Sequence, residues 1–373
     1  MRRQVAVGLV ALLMVLLTAT ALVGGSVAAS GAARAVRQAT PHALPASCAS
    51  ANTGRNQAQD ACSAAKRPFQ VSTTTLEVPV PATGRVLSTE VWYPATKRNG
   101  GLVPDRSSGP YPLVVFSQGY DEAASAYSAL IRQWAAAGFV VAAPTYPYTA
   151  PPGPLDEADI INHPVELRSV LGALTSVPRR SASVLAGLVD PGEVGLAGQS
   201  DGGDVSLAVA DNTCCHDPAV KAVAVLSGAE LSSFGGTYFT GPQVPLLVVQ
   251  GSADTINVPA CSSQIYNEAK GTKYYLDLLG ASHLEPYVPP VRQSATASIA
   301  SAYRRVAAQV TTDFFEVELA RRRGALASME QAGEVPRLAQ FSVGGEAPPT
   351  GDWCNGSPAN RVAGAESAAP TSS

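Results

Sequence analysis

The fold is indicated by one segment of the chain, Glu193-Val-Gly-Leu-Ala-Gly-Gln-Ser-Asp-Gly-Gly203. Glu193–Ala197 is a short apolar run typical of a strand buried on both faces, and the apolar residues from Val205 to Val209 predict a helix. Between them the pattern Gly-X-Ser-X-Gly occurs once and predicts a tight strand-to-helix turn. Such a turn exposes the hydroxyl of Ser200 above the sheet, at the N-terminus of a helix. The alternative is a plain glycine-rich turn with no chemical role.

Strands alternate with helices on both sides of this segment. The predicted strands are Val71–Val80, Gly84–Tyr93, Pro112–Phe116, Phe139–Ala143, Val220–Leu226, Leu246–Val249 and Tyr274–Leu279, and the helices are Ala123–Ala137, Val165–Leu174 and Ile299–Leu319. This order predicts an α/β fold over residues 67–322, with a mostly parallel central sheet and helices on both faces. The stretch between Leu226 and Leu246 is too short for a large cap domain, which favours an open cleft.

Composition excludes several classes of protein. The chain has 373 residues, 46% of them hydrophobic, which argues against disorder throughout. The charge balance is 26 − 29 = −3 and no basic stripe is present, so no nucleic-acid partner is expected.

The two ends of the chain differ from the middle. Residues 1–29 contain Arg2, Arg3, an apolar run and small residues, which predicts a signal peptide; a membrane anchor is the alternative. Residues 30–66 form an Ala/Ser-rich extension, and residues 323–373 are expected to be a Gly/Pro/Ala-rich surface tail. We therefore expect a secreted protein with no membrane span after processing, with association with the cell envelope left open.

A serine nucleophile needs a base and a carboxylate. Among the four histidines, His283 follows the last parallel strand, in Gly280-Ala-Ser-His283, and is the predicted base. Asp254 directly follows the strand Leu246–Val249 and is the predicted acid, with Asp277 as its rival. The chain order Ser200, Asp254, His283 is that of α/β-hydrolases.

The other predicted site residues lie next to the nucleophile and after the neighbouring strand. The backbone amide of Asp201 follows the nucleophile, and the amide of Tyr120 follows the strand Pro112–Phe116, so these two amides are predicted to form the oxyanion hole. An ionised Asp201 side chain would oppose the oxyanion unless it points away or is paired. Gln199, Phe234 and Tyr238 are the candidate substrate-binding residues; a loop that only covers the core is the alternative for the latter two.

Several motifs together resemble a known family. They are Tyr93-Pro94, Ser117-Gln-Gly-Tyr120, Asp190-Pro191, Gly198-Gln-Ser-Asp-Gly-Gly203, Gly251-Ser-Ala-Asp254 and Gly280-Ala-Ser-His283. Over about residues 70–320 the chain resembles the α/β-hydrolase branch of dienelactone hydrolases, platelet-activating-factor acetylhydrolases, chlorophyllases and bacterial cutinase-like polyester hydrolases. Relative to the secreted polyester hydrolases, Gln199 stands where His or Trp is usual, and Asp201 where Met is usual.

Six cysteines in an exported chain allow three disulfides. Cys214 and Cys215 are adjacent and are not expected to bond each other. Cys261 is expected to pair with either of them, while Cys48, Cys62 and Cys354 are candidates for fastening the two ends to the core. Free thiols are the alternative.

These observations predict a secreted serine hydrolase of carboxylic esters that acts through an acyl-enzyme, with no cofactor and no metal. Its partner is expected to be an ester substrate, whether small molecule, lipid or polymer, and the protein is expected to be a monomer. The alternatives are a lipid acyl hydrolase and a catalytically silent binding protein on the same scaffold.

Overall fold

A ten-stranded mixed sheet organises the residues that the structure, a computed structural model, describes: 68–289, 297–350 and 354. The predicted signal peptide and extension, with Cys48 and Cys62, lie outside these residues. The strands are β1 Gln70–Val80, β2 Arg85–Arg98, β3 Gly101–Pro104, β4 Tyr111–Ser117, β5 Val140–Pro144, β6 Val189–Gln199, β7 Val220–Leu226, β8 Leu246–Gly251, β9 Lys273–Leu278 and β10 Ala339–Val343. The helices are α1 Ser128–Ala137, α2 His163–Thr175, α3 Asp201–Asp211, α4 Pro259–Glu268, α5 Ala297–Glu318 and α6 Ala325–Gly333.

The strand order is β1-β2-β5-β4-β6-β7-β8-β9-β10, with β3 paired to β2. Six central strands run parallel to one another: β5, β4, β6, β7, β8 and β9. The outer strands β1, β2, β3 and β10 pair antiparallel with their neighbours. This sheet, with helices packed on it, confirms the predicted α/β-hydrolase fold class.

Each face of the sheet carries its own hydrophobic core. In β4, Leu113 and Val115 belong to the core shared with α2, α3 and α4, while Val114 and Phe116 belong to the core shared with α1, α5 and α6. Alternate residues of a strand point to opposite faces, so the continuous apolar run of β4 fills both cores at once. On the second face the indole N–H of Trp134 donates to Thr311 Oγ1 at 3.0 Å, joining α1 to α5.

The C-terminal segment contributes to the sheet. The sequence predicted a surface tail from residue 323, but α6 packs on α5, and β10 pairs antiparallel with β9 and forms the edge of the sheet. Beyond β10, Cys354 is bonded to Cys261 of α4. The short apolar stretches of this C-terminal segment did not indicate that it joins the sheet, because an edge strand needs little hydrophobic sequence.

The expectation that Cys214 and Cys215 would not bond each other was wrong. Cys214 and Cys215 are bonded to each other, with an S–S distance of 1.99 Å. Cys261, their expected partner, is bonded to Cys354 instead. The physical reason is that residues after β10 return across α4, where Tyr266 donates a hydrogen bond to Gly344 O at 2.7 Å. This return brings Cys354 to Cys261, so that of the four described cysteines only Cys214 and Cys215 remain to pair with each other.

None of the helices in the described part of the chain combines the length and the hydropathy that a membrane span requires.

Candidate active site

The predicted nucleophile lies on a strained turn between β6 and α3. Ser200 has φ 54° and ψ −125°, a backbone conformation that residues other than glycine rarely adopt. The turn is held closely packed: a Cβ on Gly202 would lie 2.0 Å from the carbonyl oxygen of Ser117. Only a glycine fits there, and the resulting close approach fixes Ser200 at the end of the sheet.

The predicted acid and base are in direct contact. Asp254 Oδ2 accepts a hydrogen bond from His283 Nδ1 at 2.7 Å. Asp254 Oδ1 accepts from the backbone N–H groups of Ile256 at 2.8 Å and Asn257 at 3.1 Å. Asp254 is only 3% exposed, so its carboxylate is shielded from water. The contact orients the imidazole so that its Nδ1 faces the carboxylate and its Nε2 faces the cleft.

Ser200 and His283 line the same cavity, which has a volume of about 260 Å³. The other lining residues are Tyr120, Glu157, Gln199, Asp201, Ile256 and Leu284. Ile256 and Leu284 are exposed apolar side chains, at 49% and 36%, and they give the cleft an apolar rim. Sequence reasoning missed these two, although each lies within two residues of the predicted acid or base. It also missed Glu157, which is remote in sequence from the site.

Gln199 contacts the base rather than open solvent. It is fully buried, and its side-chain N–H donates to His283 Nε2 at 3.1 Å. The hydroxyl of Tyr127 donates to Gln199 Oε1 at 2.8 Å and fixes the orientation of the amide. An imidazole nitrogen has a single lone pair, so Gln199 competes with Ser200 for the nitrogen that a base must present.

The two residues predicted to supply the oxyanion donors line the cavity that also contains Ser200. Tyr120 follows β4, and Asp201 is the first residue of α3. Between Tyr120 and the nucleophile, Gly119 is packed so closely that a Cβ on it would lie 2.4 Å from Gln199 Oε1 and 3.3 Å from Ser200 Cβ. The lack of a side chain at Gly119 lets this loop approach Ser200.

The two aromatic candidates for substrate binding lie in the loop between β7 and β8, and their role in binding substrate stays a prediction. Phe234 and Tyr238 pack against the core that includes α2, α3 and α4, and the Tyr238 hydroxyl accepts from Leu231 N at 3.1 Å. Within the described residues, neither lines the cavity around Ser200. The physical reason is burial: their rings cover apolar side chains beside the sheet, so the segment is a loop that covers the core.

Behind the cleft, polar side chains support the acid. Gln250 Nε2 donates to Asp254 Oδ2 at 3.2 Å, and Ser262 Oγ donates to Gln250 Oε1 at 2.6 Å. Tyr287 is buried, and its hydroxyl donates to Val249 O at 3.2 Å, which holds the loop of His283 against β8. Burial raises the pKa of Asp277, the rival acid, to about 6. Asp277 lines a cavity that Asp254 also lines, but it is not among the residues that line the cavity of Ser200 and His283.

One group of side chains has the composition of a metal site. The ligand atoms of Asp159, His163 and Glu166 lie within 4.8 Å of one another. The guanidinium of Arg85 donates to Asp159 at 2.7 Å and to Glu166 at 2.9 Å. Hydrogen bonds from His163, Arg85 and Asn162 outweigh burial and lower the pKa of Asp159 to about 2. Since Arg85 already supplies the positive charge, this cluster joins β2 to α2 as an ion-pair network.

Comparison with known proteins points to one family. A family model described as PETase: PET hydrolase-like matches residues 46–301. This match covers more than half of the chain and includes Ser200, Asp254 and His283. No curated protein matches the chain.

Proposed function

Because the chain belongs to the PET hydrolase-like family, a family of ester hydrolases, we propose that it is an exported serine hydrolase acting through Ser200, His283 and Asp254. The observation that carries this proposal is the 2.7 Å contact between Asp254 and His283, since His283 lines the same cavity as Ser200. Two disulfides among the described residues support export to an oxidising compartment.

In the proposed reaction, Ser200 Oγ attacks the ester carbonyl carbon while His283 Nε2 takes the hydroxyl proton. The Gln199 amide must release Nε2 for this step, and Asp254 stabilises the imidazolium. The backbone amides of Tyr120 and Asp201 donate to the oxyanion. His283 then protonates the leaving alcohol. Water, deprotonated by His283, attacks the acyl-enzyme and releases the carboxylic acid and free Ser200.

The open cleft supports bulky or polymeric esters as substrates. β7 and β8 are joined by residues 227–245, whose described secondary structure is a short turn of 3₁₀ helix at Ser232–Phe234. Within this described segment no cap encloses the cavity, and the exposed side chains of Ile256 and Leu284 offer apolar contacts at its rim. A chain-length series of esters, phospholipids and polyester films separates this preference from that of a lipid acyl hydrolase.

Replacing the nucleophile tests the proposal. We expect Ser200→Ala to lower kcat for short p-nitrophenyl esters by about 10⁴-fold or more and to abolish labelling by a fluorophosphonate probe. The matched control is Ser206→Ala, which removes a buried hydroxyl from the same helix and should leave activity intact. Circular dichroism establishes that both variants fold. Undiminished hydrolysis by Ser200→Ala would refute the assignment, and failure of the folded wild type to react with the probe would favour a binding protein.

A further inference from the structure

A chain of hydrogen bonds leads from the loop after β4 to the predicted base. The backbone N–H of Gly119 donates to the hydroxyl oxygen of Tyr127 at 3.4 Å, and that hydroxyl donates to Gln199 Oε1 at 2.8 Å. Gln199 Nε2 donates in turn to His283 Nε2 at 3.1 Å. Tyr127 and Gln199 are both fully buried, so water does not compete for these bonds.

The direction of each bond in this chain is fixed by its two ends. A backbone N–H can only donate, so the Tyr127 oxygen accepts from Gly119 and its own proton points to Gln199. At the other end, the backbone oxygen of His283 can only accept, and it lies 3.4 Å from Gln199 Nε2. The Gln199 amide therefore turns its carbonyl to Tyr127 and its NH₂ group to His283.

This NH₂ group opposes the chemistry expected of the base. His283 Nδ1 donates to Asp254, so Nε2 carries the only lone pair of the neutral ring. While Gln199 donates to that lone pair, Nε2 cannot accept the proton of Ser200. Once the imidazolium forms, its Nε2–H would point at an NH₂ group that has no acceptor to offer. The contact therefore stabilises the resting base and disfavours its protonated form.

A second acceptor allows the amide to leave Nε2 without losing a hydrogen bond. Gln199 Nε2 lies 3.1 Å from His283 Nε2 and 3.4 Å from His283 O, so a small turn of the NH₂ group transfers its donation from the ring to the backbone. Because no buried polar group is left unpaired, this turn avoids the large cost of an unsatisfied donor. The site thus has one arrangement with Nε2 blocked and one with Nε2 free.

We propose that Gln199 blocks His283 Nε2 in the resting enzyme and that Tyr127 is the positioning residue that holds its amide there. This inference rests on the proposed function and adds a step before acylation. In that step the NH₂ group turns to the backbone oxygen of His283, and the hydroxyl of Ser200 takes its place at Nε2. Removing the block therefore makes the site more reactive, whereas a residue with only a packing role would not have this effect when replaced.

The first test measures the free lone pair of His283. Diethyl pyrocarbonate acylates a neutral imidazole nitrogen whose lone pair is free, and peptide mass spectrometry reports the rate at His283 apart from the other histidines. Gln199→Met keeps the length of the side chain without its donor. We expect it to increase this rate about three- to tenfold, the effect of losing one hydrogen bond. Tyr127→Phe, which leaves the amide without its positioning donor, should give a smaller increase.

Two matched controls make the same changes elsewhere. Gln133→Met removes an amide that donates to Thr312, and Tyr266→Phe removes a hydroxyl that donates to Gly344 O. Neither residue is among the described residues that line the cavity of Ser200. Both controls should leave the acylation rate of His283 at the wild-type value.

Labelling of Ser200 by a fluorophosphonate probe is the second readout. It should also be faster in Gln199→Met, because Nε2 is then free to take the serine proton. An unchanged or slower acylation of His283 in folded Gln199→Met would overturn the inference, as would faster acylation without faster labelling of Ser200. If Gln199→Met does not fold, the acylation rate of His283 in Tyr127→Phe decides in the same way. A wild type whose His283 is acylated but whose Ser200 is never labelled would instead count against the proposed function.

Discussion

Replacing Asp254 by asparagine changes one atom at the centre of the proposed site. The orientation of the new amide is decided by the backbone, because Oδ1 accepts hydrogen bonds from the N–H groups of Ile256 and Asn257 at 2.8 and 3.1 Å. Only the amide oxygen can keep those bonds, so the NH₂ group must take the position of Oδ2. There it faces His283 Nδ1, which is 2.7 Å away in the wild type.

The size of the effect follows from the imidazole tautomer. Opposite an NH₂ donor, Nδ1 must accept, and the ring proton moves to Nε2. A protonated Nε2 has no lone pair with which to take the proton of Ser200. In the serine-protease triad the corresponding change lowers kcat by about 10⁴-fold, and this factor corresponds to about 5.5 kcal/mol of barrier. We expect a loss of the same order from Asp254→Asn.

The assay is kcat for p-nitrophenyl acetate at constant pH, with Asp277→Asn as the matched control. Asp277 has the same side chain, but Asp254 is the carboxylate that contacts His283, so replacing Asp277 should leave kcat within about threefold of the wild type. Folding of both variants is checked by thermal melts. The reasoning fails if Asp254→Asn retains more than a tenth of wild-type kcat, or if Asp277→Asn loses as much activity as Asp254→Asn.

Three further predictions concern stability. Gly202→Ala should unfold the protein or lower the free energy of unfolding by more than about 3 kcal/mol, because the new Cβ meets a backbone oxygen at 2.0 Å. The control Gly172→Ala places its Cβ in open space on a helix and should raise the free energy of unfolding by about 0.5–1 kcal/mol. Urea melts measure both changes. Cys354→Ser should lower the unfolding free energy by about 2–4 kcal/mol, because its bond to Cys261 closes a loop with a sequence separation of 93; an unchanged melting temperature would contradict this. The raised pKa of Asp277, about 6, means that the native state binds its proton more tightly than the unfolded chain, so stability falls as pH rises from about 4 through 6. Asp277→Asn should therefore equal the wild type at pH 4 and exceed it by about 1–2 kcal/mol at pH 8, and equal stability at both would refute the linkage.

The contacts of three side chains could not be predicted from the sequence. Gln199 was predicted to bind substrate, but its side chain turns inward to His283 and Tyr127. Phe234 and Tyr238 are aromatic residues in a flexible-looking segment, and the sequence does not show which hydrophobic surface they cover. In each case the direction of the side chain depends on residues distant in the chain.

What the sequence determined by itself is the alternation of strands and helices and the order Ser200, Asp254, His283. Those features are local: apolar runs specify buried strands, and small residues around Ser200 specify the turn. Tertiary structure decided the rest, including the bond of Cys261 to Cys354, the position of β10 and the presence of Glu157 beside Asp201. The physical reason is that such contacts join segments far apart in sequence, and only the packing of the sheet and its helices determines which of these segments meet.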